Sequence, residues 1–163
     1  MKLKVCELTK ESFAPFGRFF NVYDLSRGET LNKGVYFPDL SGVLFENSNY
    51  AGIGVGIAID RARITTKTEI HEHTEEMLAF LDADSIFIVG EPSGTTPDLS
   101  KFKAFRIPKG AYLTMKRGTW HSEPFPIDSD RITQFVILPP YTNYNDVIIC
   151  ELDPPIELEG PEE

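Results

Sequence analysis

Cysteine is scarce in this chain of 163 residues: Cys6 and Cys150 are the two, near opposite ends. With no Cys-x-x-Cys pair, a thiolate zinc site is excluded. Their apolar neighbours, Val5 and Leu8 for one and Val147-Ile148-Ile149 for the other, predict two small buried hydrophobes with reduced thiols. Positive charge is short as well. Sixteen Lys and Arg stand against twenty-five Asp and Glu, a net charge of -9, and the basic residues are scattered singly or in pairs. A duplex-binding surface needs a positive footprint to displace counterions, so nucleic acid is not an expected partner; the net charge serves solubility. No apolar run approaches the ~20 residues that cross a bilayer, and no membrane association is expected. Met1-Lys2-Leu3-Lys4-Val5 lacks the apolar stretch of a secretory signal, which points to the cytoplasm.

Helical text is sparse. Thr9 is placed to cap a short helix over residues 10–14, which Pro15 and Gly17 end. A first strand is expected at residues 2–8. Ile53-Gly54-Val55-Gly56-Ile57-Ala58-Ile59 alternates large apolar with small residues, the period of a strand with one packed face. The small residues suggest tight curvature or a close neighbour on the other face. Further strands are expected at 77–81, 85–89, 103–107, 112–115, 132–138 and 147–152. Turn residues separate them, as in Asp82-Ala83-Asp84, Pro108-Lys109-Gly110 and Pro139-Pro140. Many short strands at near-regular spacing predict an all-β sandwich or barrel with one or two short helices. Length and the lack of a linker predict one domain, residues 1–152. The acidic, Pro-rich residues 153–163 are expected to form a tail that buries little.

Only three histidines are present. Two stand in Glu69-Ile70-His71-Glu72-His73-Thr74-Glu75-Glu76. On a strand, positions i and i+2 share a face, so His71 and His73 could aim at one point. The third lies in Lys116-Arg117-Gly118-Thr119-Trp120-His121, where a glycine turn leads into a new strand. His71, His73 and His121 with Glu76 form a standard donor set for a divalent transition metal, manganese, iron, nickel or zinc. Glu75 is the rival to Glu76 as ligand. Read alone, His-x-His among Glu and Thr is equally a polar surface strand.

The spacing resembles the two motifs of cupins: His-x-His with a following Glu and Gly, and Pro-x-Gly-x-x-His. Here Ala83 stands where the first motif has Gly, and Lys116 where the second has Pro. That resemblance implies an antiparallel jelly-roll barrel, also described as a double-stranded β-helix. The flanks narrow it. Leu8-Thr9-Lys10-Glu11-Ser12-Phe13-Ala14-Pro15-Phe16-Gly17, Pro97-Asp98-Leu99-Ser100-Lys101-Phe102-Lys103-Ala104-Phe105 and Trp120-His121 with Pro124-Phe125 resemble segments of ureidoglycolate lyases, in the same order.

That resemblance implies a cytoplasmic homodimer of allantoin breakdown, splitting ureidoglycolate into glyoxylate and urea. The chemistry needs a hydroxyl proton removed and a leaving nitrogen protonated, and a chelating metal would lower the hydroxyl pKa. Glu75 is the candidate acid–base group if Glu76 is a ligand. Lys116 and Arg117 are placed to meet the substrate carboxylate, ahead of Arg61, Arg63 and Arg131. Trp120 and Tyr112 are candidates for the pocket wall, and Asp98 for a turn cap. Other readings of the same fold are a cupin isomerase, epimerase or dioxygenase on a small carboxylate, or a non-catalytic ligand-binding cupin.

Overall fold

The computed structural model describes residues 1–25, 29–31, 34–37 and 39–159, with 29–31 and 34–36 described by backbone alone. The chain opens with β1 (Lys2–Leu3), β2 (Val5–Glu7), the one-turn helix α1 (Lys10–Phe13) and β3 (Gly17–Asn21). A small hairpin, β4 (Glu29–Leu31) and β5 (Gly34–Tyr36), precedes the longer strands β6 (Gly52–Ile59) and β7 (Ile64–Ile70). β8 (Glu76–Phe80), β9 (Ser85–Gly90), β10 (Phe102–Ile107) and β11 (Ala111–Met115) form the middle. Last come β12 (Trp120–His121), β13 (Phe125–Pro126), β14 (Arg131–Leu138), the short helix α2 (Thr142–Asn145) and β15 (Ile148–Leu158). Local chemistry sets the small elements. Thr9 caps α1 through the Ser12 amide while the Ser12 hydroxyl accepts from the Thr9 amide, a reciprocal capping box. Asp98 accepts from the Ser100 amide and starts a single 3-10 turn, as its place in the sequence suggested.

The strands pair into an eight-stranded sheet ordered β1-β15-β7-β12-β9-β10-β2, with β13 on β9, and a five-stranded sheet ordered β3-β11-β8-β14-β6. Pairing is antiparallel except at β1–β15 and β2–β10. The two sheets face each other as a nearly closed barrel, the all-β architecture expected. Phe87, Val89, Phe105 and Ile107 from the larger sheet meet Leu78, Phe80, Leu113 and Met115 from the smaller in one buried cluster, sealed by Phe13 and Phe16. Successive residues on a strand alternate faces. Ile88, Phe102, Ala104 and Trp120 therefore pack on the other side of the larger sheet, against Phe125, Leu152 and Ile156.

Three expectations are corrected. Residues 153–158 are no loose tail: β15 continues through them, paired with β7 and β1, and Ile156 and Leu158 are buried. Ile156-Glu157-Leu158 alternates apolar and polar, which is enough to bury one face of a strand. Cys6 is exposed because β2 is a short edge strand, and Cys150 on β15 is half-buried. The period-2 pattern of β6 is real, but its faces are reversed. Ile53, Val55, Ile57 and Ile59 point outward, 58–76% exposed, while Gly54, Gly56 and Ala58 line the interior.

Candidate metal centre

β7 and β12 run antiparallel with Glu69 opposite His121, and His71 follows the last residue of β7. Gly118, at φ +72, turns the chain into β12, and its amide donates to the His71 carbonyl at 2.7 Å. A left-handed turn of this kind favours glycine. Both histidines are buried, and their ring centroids lie 5.5 Å apart. The two rings are anchored alike. Nδ1 of His71 donates to the Asp146 carbonyl at 2.6 Å, and Nδ1 of His121 to the Thr119 carbonyl at 3.0 Å. A carbonyl only accepts, so Nδ1 carries the hydrogen in each ring and Nε2 is left for the interior.

Glu76 opens β8 and is buried with them. Its Oε2 lies 3.0 Å from Nε2 of His121 and 3.7 Å from Nε2 of His71, while Glu69 Oε1 lies 3.4 Å from Nε2 of His121. Yet neither Glu76 Oε2 nor His121 Nε2 makes a well-formed hydrogen bond. A carboxylate oxygen facing a bare imidazole nitrogen sets lone pair against lone pair, and a cation between them resolves that. A proton is one such cation. Burial alone would push the His121 imidazole down, but Glu76 and Glu69 overcome it and raise the pKa to about 10. Glu69 is held below the ordinary carboxylate range, chiefly by the approach of the His121 ring to its carboxylate. A divalent metal is the other cation. Glu69, His71 and His121 offer ligand atoms all within 4.8 Å of one another. Imidazole with carboxylate suits a first-row transition ion, and rings fixed through Nδ1 are the usual support for one. The residues present fit a metal.

The centre opens into a cavity of about 510 Å3. Gly54 and Gly56 form one wall, Leu78, Phe87 and Val136 the apolar lining, and Pro139–Tyr144 the rim, with Tyr141 and Tyr144 exposed. Gln134 reaches in from β14, and its amide nitrogen is buried without a partner. Among the described residues, no Lys or Arg lines this cavity.

Of the residues singled out from sequence, His71, Glu76 and His121 converge. The rest do not. His73 lies beyond the end of β7, half exposed, with Nδ1 3.1 Å from Asp146 Oδ1 rather than facing His71. The amides of Glu72 and His73 are taken by the Asp146 carboxylate, both at 2.9 Å, so the chain bends off the strand there. Glu75 is neither ligand nor base: Arg18 grips both its oxygens at 2.9 and 2.8 Å, and the Leu44 amide adds a third bond. Burial would raise its carboxyl, but these partners hold it low. Lys116 donates to the Ala14 carbonyl and Arg117 pairs with Glu46, both outside the cavity. Trp120 is core, its Nε1 bonded to Ser93. Tyr112 stacks on Phe20 across the outer face of the smaller sheet.

Sequence reading missed Glu69, Gln134 and Asp146. For Glu69 a signal existed. The i, i+2 rule applied backward from His71 reaches Glu69, and applied forward reaches His73; where β7 ends decides between them. Gln134 and Asp146 carried no spacing signal.

A family described as ureidoglycolate lyase matches residues 1–159 of the chain. No curated protein sequence matches it. Among solved structures, RmlC from Streptococcus suis in complex with dTDP-D-xylose aligns at 11% identity with a TM-score of 0.37. The alignment covers 56% of this chain and 44% of that one, so the chain spans less than half of that neighbour's length.

Proposed function

The chain belongs to the ureidoglycolate lyase family, and on that premise we propose that it is a carbon–nitrogen lyase splitting ureidoglycolate into glyoxylate and urea. The observation that carries the reading is the pair of buried, carbonyl-anchored imidazoles facing two carboxylates inside a cavity that, among the described residues, no Lys or Arg lines. A carboxylate substrate entering that cavity needs positive charge from elsewhere. His71, His121 and Glu76 would hold a divalent metal, with Glu69 beside them. When bound, such an ion supplies that charge and lowers the pKa of a hydroxyl it meets.

The remaining work falls to side chains. Glu69 is the more exposed carboxylate and takes the hydroxyl proton of the carbinol carbon. The electron pair of that O–H becomes the carbonyl of glyoxylate as the C–N bond breaks. Glu69 returns the proton to the departing nitrogen, which leaves as urea. The unpartnered amide nitrogen of Gln134 donates to the ureido carbonyl and orients it. Leu78, Phe87 and Val136 keep the far wall dry. The test is glyoxylate release from ureidoglycolate by protein loaded in turn with manganese, iron, nickel and zinc. Turnover that chelator removes and metal restores supports the reading; no turnover with any of the four rejects the substrate. Oxygen uptake by the iron form would favour a dioxygenase instead.

We further propose that the working form is a homodimer joined through the outer face of the five-stranded sheet. Ile53, Val55, Ile57 and Ile59 stand exposed along its edge strand, with Phe135 beside Val55. Together they leave on the order of 500 Å2 of apolar surface, most of the ~800 Å2 each partner gives to a standard interface. β6 carries no charge or proline to guard its edge, a feature proteins ordinarily cover. A second copy fits because the face is its own chemical complement. Sedimentation equilibrium should give a dimer that Val55→Lys converts to monomer; a monomeric parent protein overturns the proposal. Two unpaired cysteines, one exposed, suit the reducing cytoplasm.

A further inference from the structure

We propose that Asp146 is the positioning residue of the centre and that His73, the second member of the His-x-His pair, is its anchor and not a metal ligand. The inference rests on the metal reading above for its consequence, though not for its geometry. Asp146 lies directly after α2 and meets the His71 loop with both its backbone and its side chain. Its carbonyl accepts Nδ1–H of His71 at 2.6 Å. Its carboxylate accepts the amide of Glu72 on one oxygen and that of His73 on the other, each at 2.9 Å. The first of these oxygens also meets Nδ1 of His73 at 3.1 Å.

Five residues from His71 to Glu75 connect β7 to β8, and the bend they make would otherwise leave two amides without partners. One carboxylate satisfies both. In doing so it fixes the distance between the carbonyl of Asp146 and the ring of His71, which selects the tautomer with Nε2 bare. The amide of Asp146 in turn donates to the Thr142 carbonyl at 2.9 Å, so the same residue closes the segment that forms the cavity rim. Rim and ligand are thereby joined through one residue. His121 needs no such device, because its anchor, the Thr119 carbonyl, is two residues away on its own strand approach.

The reading separates roles that the motif merges. His73 is half exposed, and its Nδ1 is turned toward the Asp146 carboxylate. Its imidazole braces the carboxylate from the solvent side.

The experiment compares Asp146→Ala, Asp146→Asn and His73→Asn with the parent protein. Zinc binding is measured by calorimetry on the metal-free chain, and imidazole tautomers by nitrogen-detected correlation spectra of the same sample. Asp146→Ala should weaken zinc about 10- to 100-fold, the usual effect of removing the support of a metal-bound histidine. In its metal-free spectrum, His71 should lose its single Nδ1–H tautomer while the His121 signals stay as they are in the parent, a change that general loosening would not confine to one ring. His73→Asn should bind zinc far more tightly than Asp146→Ala does. Should Asp146→Ala fail to fold, Asp146→Asn retains one acceptor oxygen and should show the same selective change at His71 in smaller degree. Zinc binding abolished by His73→Asn overturns the assignment, as does an unchanged His71 spectrum in the Asp146 variants. The spectra need no metal, so they decide on the tether even if the parent protein binds no zinc and the metal reading fails.

Discussion

Two regions of the barrel interior are built to opposite rules. In one, Phe13, Phe16 and Phe105 meet edge to face or tilted, with ring centroids 5.6–5.9 Å apart and no exposed surface. In the other, glycines take the place of side chains, and Glu69, His71, Glu76, His121 and Gln134 surround a void. The packed region supplies burial, roughly 25 cal/mol for each Å2 of apolar surface. The hollow region contributes little burial and holds polar atoms without partners, which cost stability unless something binds there. Stability and function are thus divided between two regions of one barrel interior, and the same two sheets serve both.

The sharpest way to break the contrast is to truncate one residue in each region. His121→Ala should reduce lyase turnover at least about a thousandfold, ~4 kcal/mol in activation free energy, while the chain stays folded by circular dichroism. Phe105→Ala should do the reverse, costing about 3–5 kcal/mol in chemical denaturation while leaving zinc stoichiometry intact. A His121 variant that unfolds, or a Phe105 variant that keeps its stability, would erase the division.

The next effect is on pH. The imidazole of His121 is raised in the folded, metal-free protein to about 10, above its ordinary value of 6.5. A raised pKa stabilises the fold fully below the lower value, and that contribution is lost as pH climbs through the higher one. The metal-free protein should therefore melt at a lower temperature at pH 9.5 than at pH 6.5. The same proton must leave before a metal binds, so zinc affinity should rise with pH, by up to about tenfold per unit. Melting and calorimetry across that range check both halves, and a flat zinc profile would remove His121 from the ligand set.

The smallest effect sharpens the role of the glycine wall. The nearest neighbours a Cβ at Gly56 would meet are Gln134 Oε1 and Val136 Cγ2, both at 3.8 Å. Gly56→Val should fold at least as stably as the parent, since valine suits a strand better than glycine. It should raise KM for the substrate several-fold by filling the cavity, about 1 kcal/mol of binding. Unchanged kinetics would mean that the void is not where substrate sits.

Much of this was legible in the chain. The strands expected between residues 53 and 138, the Thr9 cap and the Asp98 turn follow local rules that act over a few residues, and each is in the structure within about a residue of where those rules put it, whereas β7 and β13 were not expected and β15 runs longer than expected. His71, Glu76 and His121 were also legible as donors. Less so was the direction of a pattern. Alternation showed that β6 has two unlike faces, and burial of large residues is the ordinary rule; here the cavity claims the small face. The basic residues chosen for substrate were near His121 in sequence, but Lys116 and Arg117 are spent on Ala14 and Glu46, distant along the chain.

By itself, the order of residues determined that this protein would be a small all-β fold with a histidine and carboxylate centre, because periodicity, caps and donor types are properties of short segments. Tertiary structure alone decided that Glu69 joins that centre and His73 leaves it. Both stand two positions from His71, and the choice turned on a carboxylate at residue 146 that captures two amides and ends the strand one residue before the ligand. No local rule can see a hydrogen bond that spans more than seventy residues.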